Sequence, residues 1–171
     1  MPTLSLLRHA KSSWDHPDLQ DFDRPLNERG RAAAPRMGAF MAQNGVAPDL
    51  ILCSPSKRTR QTLSLVLPHF ATPPTVLFEE AIYLGAASTL LKRLRKLETA
   101  TSHAMIVAHD PGLHQLAMEL SGTGDPEVLR ALAQKFPTAA LAVVSFKTRT
   151  WSKIKAGAGR LELFVTPKHL S

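Results

Sequence analysis

Apolar residues fall along this chain in two alternating rhythms. Short segments rich in apolar residues occur at 2–8, 49–53, 75–78 and 103–108. Runs of that length read as strands buried on both faces. Between them, apolar positions recur three or four apart. Ala33, Met37, Phe40 and Met41 do so within 28–43, and Leu63, Val66, Leu67 and Phe70 do so after residue 55. That period predicts helices with one face inward. Asn27 is placed to cap the first helix and Gly45 to stop it, while Pro35 inside predicts a kink. Ser54-Pro55 reads as a cap followed by proline at the first helical position, and Asp110-Pro111 repeats the device before a helix toward Leu120. Further helices are expected over 86–99, with Lys92, Arg93, Arg95 and Lys96 on a wet face, and over 126–135. Two late strands, 140–147 and 160–166, are expected to pair as a hairpin across Trp151 and the turn at 157–159. The segment 11–26 is polar, holds Trp14 and four aspartates, and reads as a long surface loop of the kind that often carries function. Strand alternating with helix predicts a three-layer α/β/α fold on a mostly parallel central sheet. With no linker or repeat, the expectation is one domain over 1–171.

Composition narrows the classes of function. The chain has 171 residues, 44% of them apolar and 20% charged, the balance of a globular protein with a real core. The lone cysteine, Cys53, excludes an internal disulfide framework and a multi-cysteine zinc site. No apolar run reaches the roughly 18 residues that a membrane span requires. Met1-Pro2-Thr3 opens no basic, then apolar, leader, so a cytoplasmic protein without membrane attachment is expected. Lys and Arg number 21 against 14 Asp and Glu, a net charge of 21 − 14 = +7. Such an excess suits a nucleic-acid binder or an enzyme for phosphorylated substrates. A non-catalytic basic binding module is the alternative of another class. Against nucleic acid stand the absence of a recognised motif and a count of only ten aromatic residues (7 Phe, 2 Trp, 1 Tyr).

In α/β folds ligands sit beyond the carboxyl ends of the strands. Three such ends carry chemistry: Arg8-His9-Ala10-Lys11-Ser12, Cys53-Ser54-Pro55-Ser56-Lys57-Arg58, and His109-Asp110-Pro111. Parallel strands would bring together two histidines and at least two arginines beside two helix N-termini. Helix N-termini attract anions, and guanidinium forks bind phosphate oxygens in pairs. A phosphoryl group is the natural guest. A neutral histidine can attack it, and nearby guanidiniums disfavour protonating that histidine. Arg58 is preferred to Arg60 for the second guanidinium. Lys11 is either a phosphate contact or a solvated loop lysine. His109 and His114 are spaced by five, not the four of a helical zinc pair, so no metal is assigned. Cys53 lacks a Cys-x5-Arg loop, since position 59 is Thr, and reads as a buried small side chain. His16, His69, His103 and His169 receive no role.

These segments carry a family resemblance. Arg8-His9-Ala10 resembles the Arg-His-Gly signature of the histidine phosphatase superfamily, which includes the phosphoglycerate mutases. Ser54-Pro55-Ser56-Lys57-Arg58-Thr59-Arg60-Gln61-Thr62 resembles its Ser-Pro-x-x-Arg-x-x-Gln-Thr segment, and Leu26-Asn27-Glu28-Arg29-Gly30 its Leu-Thr-x-x-Gly helix start. Val107-Ala108-His109-Asp110-Pro111-Gly112 resembles the second histidine segment of the short, SixA-like branch. The four lie in the family's order. The resemblance implies a phosphoglycerate mutase-like fold and a phosphatase that needs neither cofactor nor metal. In it His9 becomes phosphorylated, Arg8 and Arg58 clamp the phosphate, His109 stabilises the transition state, and Lys11 and Ser12 help to bind substrate. Larger relatives place a glutamate after the third strand as general acid; Glu79 and Glu80 are the candidates, with Glu80 preferred. Alanine at Ala10, where most relatives have glycine, is tolerated in the SixA-like branch. Asp15 stands where larger relatives often have Asn. Only 51 positions separate Arg58 from His109 (109 − 58), which leaves little chain there for a lid. An open site suits a phosphorylated protein, with a histidine phosphotransfer domain as the family-level expectation; a small phosphate ester is the alternative.

Overall fold

The computed structural model describes residues 1–170. Its strands are β1 (Thr3–Arg8), β2 (Leu50–Cys53), β3 (Thr75–Phe78), β4 (His103–Ala108), β5 (Ser121–Gly124), β6 (Leu141–Phe146) and β7 (Gly159–Val165). Its helices are α1 (Glu28–Gln43), α2 (Lys57–Val66), α3 (Ala87–Leu94), α4 (Gly112–Leu120) and α5 (Pro126–Gln134). All seven strands form one sheet in the order β3-β2-β4-β1-β6-β7-β5. The first four run parallel, while β6 is antiparallel to both β1 and β7. The α/β fold and its mostly parallel sheet are therefore as the sequence predicts.

Side-chain parity builds the three layers. On β1, Leu4 and Leu6 enter one core while Leu7 enters the other. On β4, Ala104, Ile106 and Ala108 face the first core, and Met105 and Val107 the second. The first core is closed by residues of α3, α4 and α5, such as Leu90, Leu116 and Leu132. The second is closed by α1 and α2 through Met37, Met41, Leu63 and Val66. A strand covered on both faces has no polar face to show, hence the segments rich in apolar residues.

Several boundaries differ from the sequence reading. α2 is capped by Ser56, whose hydroxyl accepts from the Thr59 N–H, and not by Ser54. α2 also stops at Val66, and Leu67–His69 continue as a 3-10 turn containing Pro68, which cannot donate to the helical ladder. α3 is shorter than 86–99: Leu94 is its last buried anchor, and the residues beyond it are largely exposed. α4 starts at Gly112 without a side-chain cap, because Asp110 turns toward Arg8. β5 was not expected; its sequence, Ser-Gly-Thr-Gly, carries no apolar pattern, and it forms by pairing with β7. The Asn27 cap holds, accepting from the Gly30 N–H at 2.9 Å, and α1 runs continuously through Pro35 to a Gly45 with φ of +71°. The expected hairpin is the β6–β7 pair. Among the described residues no helix is long and apolar enough to cross a membrane.

The start of α1 touches the first strand end. A Cβ on Gly30 would meet the carbonyl oxygen of Lys11 at 2.1 Å, and the Asn27 N–H donates to that same carbonyl at 3.0 Å. Backbone stands on both sides of the contact, so neither can yield cheaply. Gly30→Ala is expected to lower the free energy of unfolding by about 1–3 kcal/mol, measured by urea denaturation. An unchanged midpoint would show that the approach is looser than drawn.

Candidate active site

The parallel strands β1, β2 and β4 end on one edge of the sheet, and His9, Ser54 and His109 follow them directly. The rings of His9 and His109 lie with centroids 5.2 Å apart. Arg8, His9, Arg58 and His109 line one cavity of about 280 Å³, with Lys11 and Ser12 at its wall. The structure thus brings together every residue expected at the three strand ends. α2 and α4 begin at this edge, so the positive ends of both helices face it.

The segment around α2 explains its own motif. Ser54 Oγ sits 2.8 Å from His109 Nε2 and accepts from the Ser56 N–H at 3.3 Å. Its hydroxyl hydrogen is therefore free to donate to the ring. Thr62 Oγ1 accepts from the Ala10 N–H at 2.9 Å and holds the backbone after His9. Gln61 Oε1 accepts from the Leu26 N–H at 2.8 Å and pins the far end of the 11–26 loop. Arg58 is 3% exposed, whereas Arg60 is exposed and spends its Nε on the Pro55 carbonyl, which settles the choice between them. Four positions of one segment thus fix the second histidine, a guanidinium, the loop and the backbone after His9.

The electrostatics follow from burial. His9 Nδ1 lies 2.7 Å from the Ala10 carbonyl, so Nδ1 carries the proton and Nε2 keeps its lone pair. Burial, then the neighbouring His109, Arg58 and Arg8, push His9 down to about 3 against the bond to Ala10. Burial and Arg58 also push His109 down to about 3, with Asp21 opposing. Both rings are therefore neutral near pH 7. Arg8 donates to the Phe136 carbonyl at 2.9 Å and faces Asp110 at 3.6 Å. Burial raises Asp110 above the usual carboxylate range despite Arg8. Cys53 is pushed up to about 12 by burial, which makes it an inert thiol. Three buried donors of the cluster have no partner: Arg8 Nε, Arg58 Nε and His109 Nδ1.

The loop over 11–26 supplies what the sequence reading missed. Asp21 takes the Arg58 fork, accepting at its backbone carbonyl (2.7 Å) and at Oδ2 (3.0 Å). The Tyr83 hydroxyl donates to the same Oδ2, and the Tyr83 ring meets His109 edge-on at 5.4 Å. Burial works against the Asp21 charge, but Tyr83, Arg58 and Arg24 hold it below the usual carboxylate range. Arg24 lies 3.6 Å over the ring of Trp14, which stands 77% exposed on the rim. For Asp21, Arg24 and Trp14 the sequence signal was the length and polarity of the loop, and Tyr83, in the turn after Glu80–Ile82, had none.

Glu80 lies elsewhere. It is exposed and does not line the cavity, and Glu79 is clasped by Arg93 at 2.7 and 2.9 Å. The reason is topological: β3 is the edge strand, three places from β1, so the chain after it reaches the site only at Tyr83 and Leu84. His114 also turns away, its Nε2 lying 2.6 Å from the Leu132 carbonyl.

Comparison with known proteins agrees with this geometry. The profile of the histidine phosphatase superfamily (branch 1) matches residues 4–79. A structure described as a candidate phosphohistidine phosphatase SixA from Agrobacterium tumefaciens superposes with a TM-score of 0.82 at 31% identity, covering 98% of this chain and 99% of that one. A candidate SixA protein from Nakamurella multipartita superposes at 0.83 with 26% identity, covering 97% and 96%. The uncharacterized protein Rv1276c of Mycobacterium tuberculosis is 32% identical over 166 residues, 95% of this chain and all of the relative. The chain belongs to the histidine phosphatase superfamily and has its phosphoglycerate mutase-like fold. Within that superfamily it belongs to the SixA-like branch.

The depressed histidines have a measurable consequence. Each ring has a folded value below its unfolded value of about 6.5, so on acidification the unfolded chain takes up protons first. Stability is complete above about pH 7 and is lost as pH falls from about 6.5 toward 3, by on the order of 1 kcal/mol per histidine per pH unit. Urea unfolding at pH 7.5 and 5.0 measures the loss. It should shrink in His9→Gln/His109→Gln, and an equal loss in that variant would contradict the assignment.

Proposed function

We propose that this chain is a phosphatase working through a phosphohistidine at His9, and that its substrates are phosphorylated proteins, those bearing phosphohistidine foremost. One observation carries the reading: a buried neutral imidazole with a free Nε2 lines one cavity together with a second imidazole, His109, and the guanidinium groups of Arg8 and Arg58. Such donors fit a tetrahedral oxyanion and gain most in the transition state. The Nε2 lone pair of His9 attacks phosphorus as the bond to the leaving group breaks. The leaving atom departs with the electron pair and takes its proton from solvent. Water then attacks the phosphorus of phosphohistidine-9, the P–N bond breaks, and its electrons return to Nε2. The water gives up its proton and orthophosphate leaves.

With Ser54 donating to Nε2 of His109, the proton of that ring sits on Nδ1 and is offered to a phosphoryl oxygen. Asp21 is held ionised and orients Arg58, so it supplies charge and position and no proton for the leaving group. An imidazole leaves more readily than an alkoxide, so phosphohistidine makes a smaller demand on an acid than an ester does. The open rim and the likeness to the SixA protein of Agrobacterium tumefaciens support a protein substrate over a small enclosed metabolite.

Hydrolysis of p-nitrophenyl phosphate and of a phosphohistidine-bearing histidine phosphotransfer domain tests this. His9→Ala should lose at least about 1,000-fold in kcat and Arg58→Ala roughly 100-fold or more. Vanadate should inhibit, chelators should not, and quenched enzyme should carry acid-labile, base-stable phosphate. Dependence on an added divalent metal, or a preference for phosphoglycerates over the phosphoprotein, would overturn the reading.

A further inference from the structure

A cationic groove leaves the catalytic cavity on the side of Lys11 and Thr138. These two residues line both the cavity and an adjoining hollow of about 500 Å³, walled also by Arg29, Arg36 and Lys168. Arg29, Thr138 and Lys168 then line a third hollow of about 420 Å³, to which Lys135 belongs. The three hollows therefore form one continuous track. Two helices and the carboxyl-terminal turn supply it, with Arg29 on α1, Lys135 just after α5, and Lys168 in the turn Pro167–His169.

Neither outer hollow has an Asp or Glu in its lining. Among the described residues, Lys11, Arg29, Lys135 and Lys168 enter no ion pair, and all four are exposed. Arg36 is otherwise engaged, donating to the carbonyls of Pro167 and Leu170. Asp110 lines the catalytic cavity but is paired with Arg8, and Asp15 and Glu28 line a different hollow that shares Arg29. Chain segments distant in sequence thus place at least four uncompensated positive charges along one path that ends at His9. Like charges held so close repel, and a complementary anionic partner removes that cost.

We propose that this groove docks an acidic segment of the phosphorylated protein substrate, next to the phosphorylated residue. The proposal rests on the phosphatase reading and names how its substrate is selected. The track is too long for one more phosphate group, since both hollows exceed the catalytic cavity in volume. Against nucleic acid, no Trp or Tyr lines the two outer hollows, whose aromatic rings are Phe164 and His169. The catalytic rim adds exposed Trp14 and Leu84, apolar contacts of the kind a protein surface meets.

The test uses two phosphohistidine peptides of equal length, prepared with phosphoramidate, one flanked by glutamates and one by glutamines, with p-nitrophenyl phosphate as a third substrate. The parent protein should cleave the acidic peptide with kcat/KM about 10-fold or more above the neutral one, and this preference should fade as salt rises. Arg29→Glu/Lys135→Glu/Lys168→Glu should cleave the ester at the parent rate and lose the preference. A parent indifferent to the glutamates, or a variant that keeps the preference, overturns the groove. Fluorescence anisotropy of the unphosphorylated acidic peptide provides a readout independent of catalysis. Binding lost in the variant supports the docking surface even where hydrolysis of every substrate fails, which would count against the phosphatase alone. Binding retained overturns the surface, as does tighter binding of a thymidine oligonucleotide than of the acidic peptide.

Discussion

Burying two guanidinium groups against two imidazoles is the constraint around which the carboxyl edge of this sheet is organised. Four cations in that space would repel one another and forfeit hydration. The fold avoids this by keeping both rings neutral, through burial and through the guanidiniums themselves. It also gives each arginine a carboxylate and a carbonyl: Asp110 and Phe136 for Arg8, and Asp21, with both its side chain and backbone, for Arg58. What remains unpartnered is a small set of buried nitrogens, Nε of both arginines and Nδ1 of His109. Neutral imidazoles and positive surroundings are thus one electrostatic arrangement seen from two sides.

Rigidity comes from using one short segment for several tasks. Residues 54, 58, 61 and 62 hold the second histidine, Asp21, the loop end and the backbone after His9. The last three recur at helical spacing on α2, which is itself packed through Leu63 and Val66 into a fully buried core. A displacement of that helix would move the whole constellation together. The 11–26 loop is held at both ends by backbone contacts, from Gln61 at Leu26 and from Asn27 at Lys11, so its length does not imply looseness.

The excess of positive charge is unevenly spent. Part of it is neutralised inside the site, part is solvated along α3, and part lines the track that runs from Lys11 toward Lys168. A net +7 says that anions are attracted; only the placement of those charges says where.

By itself the sequence determined the parallel core strands, α1 with its Asn27 cap, and the residues waiting at three strand ends. Apolar runs, helical periods and caps are local features, written in neighbours a few positions apart. The same local reading misjudged Ser54 and Asp110, whose capping chemistry was diverted to His109 and Arg8, partners more than fifty positions away. It missed β5, whose pairing with β7 needs no apolar pattern of its own. It looked for an acid at Glu80, although the edge strand β3 ends three strands away from the one that carries His9, and it overlooked Asp21 and Tyr83, which reach the site from a loop and a turn. Tertiary structure alone decided the tautomer of His9, and it buried Arg58, already preferred on the sequence, while leaving Arg60 exposed. Burial and Coulomb interaction depend on distances through space, and sequence separation does not record them.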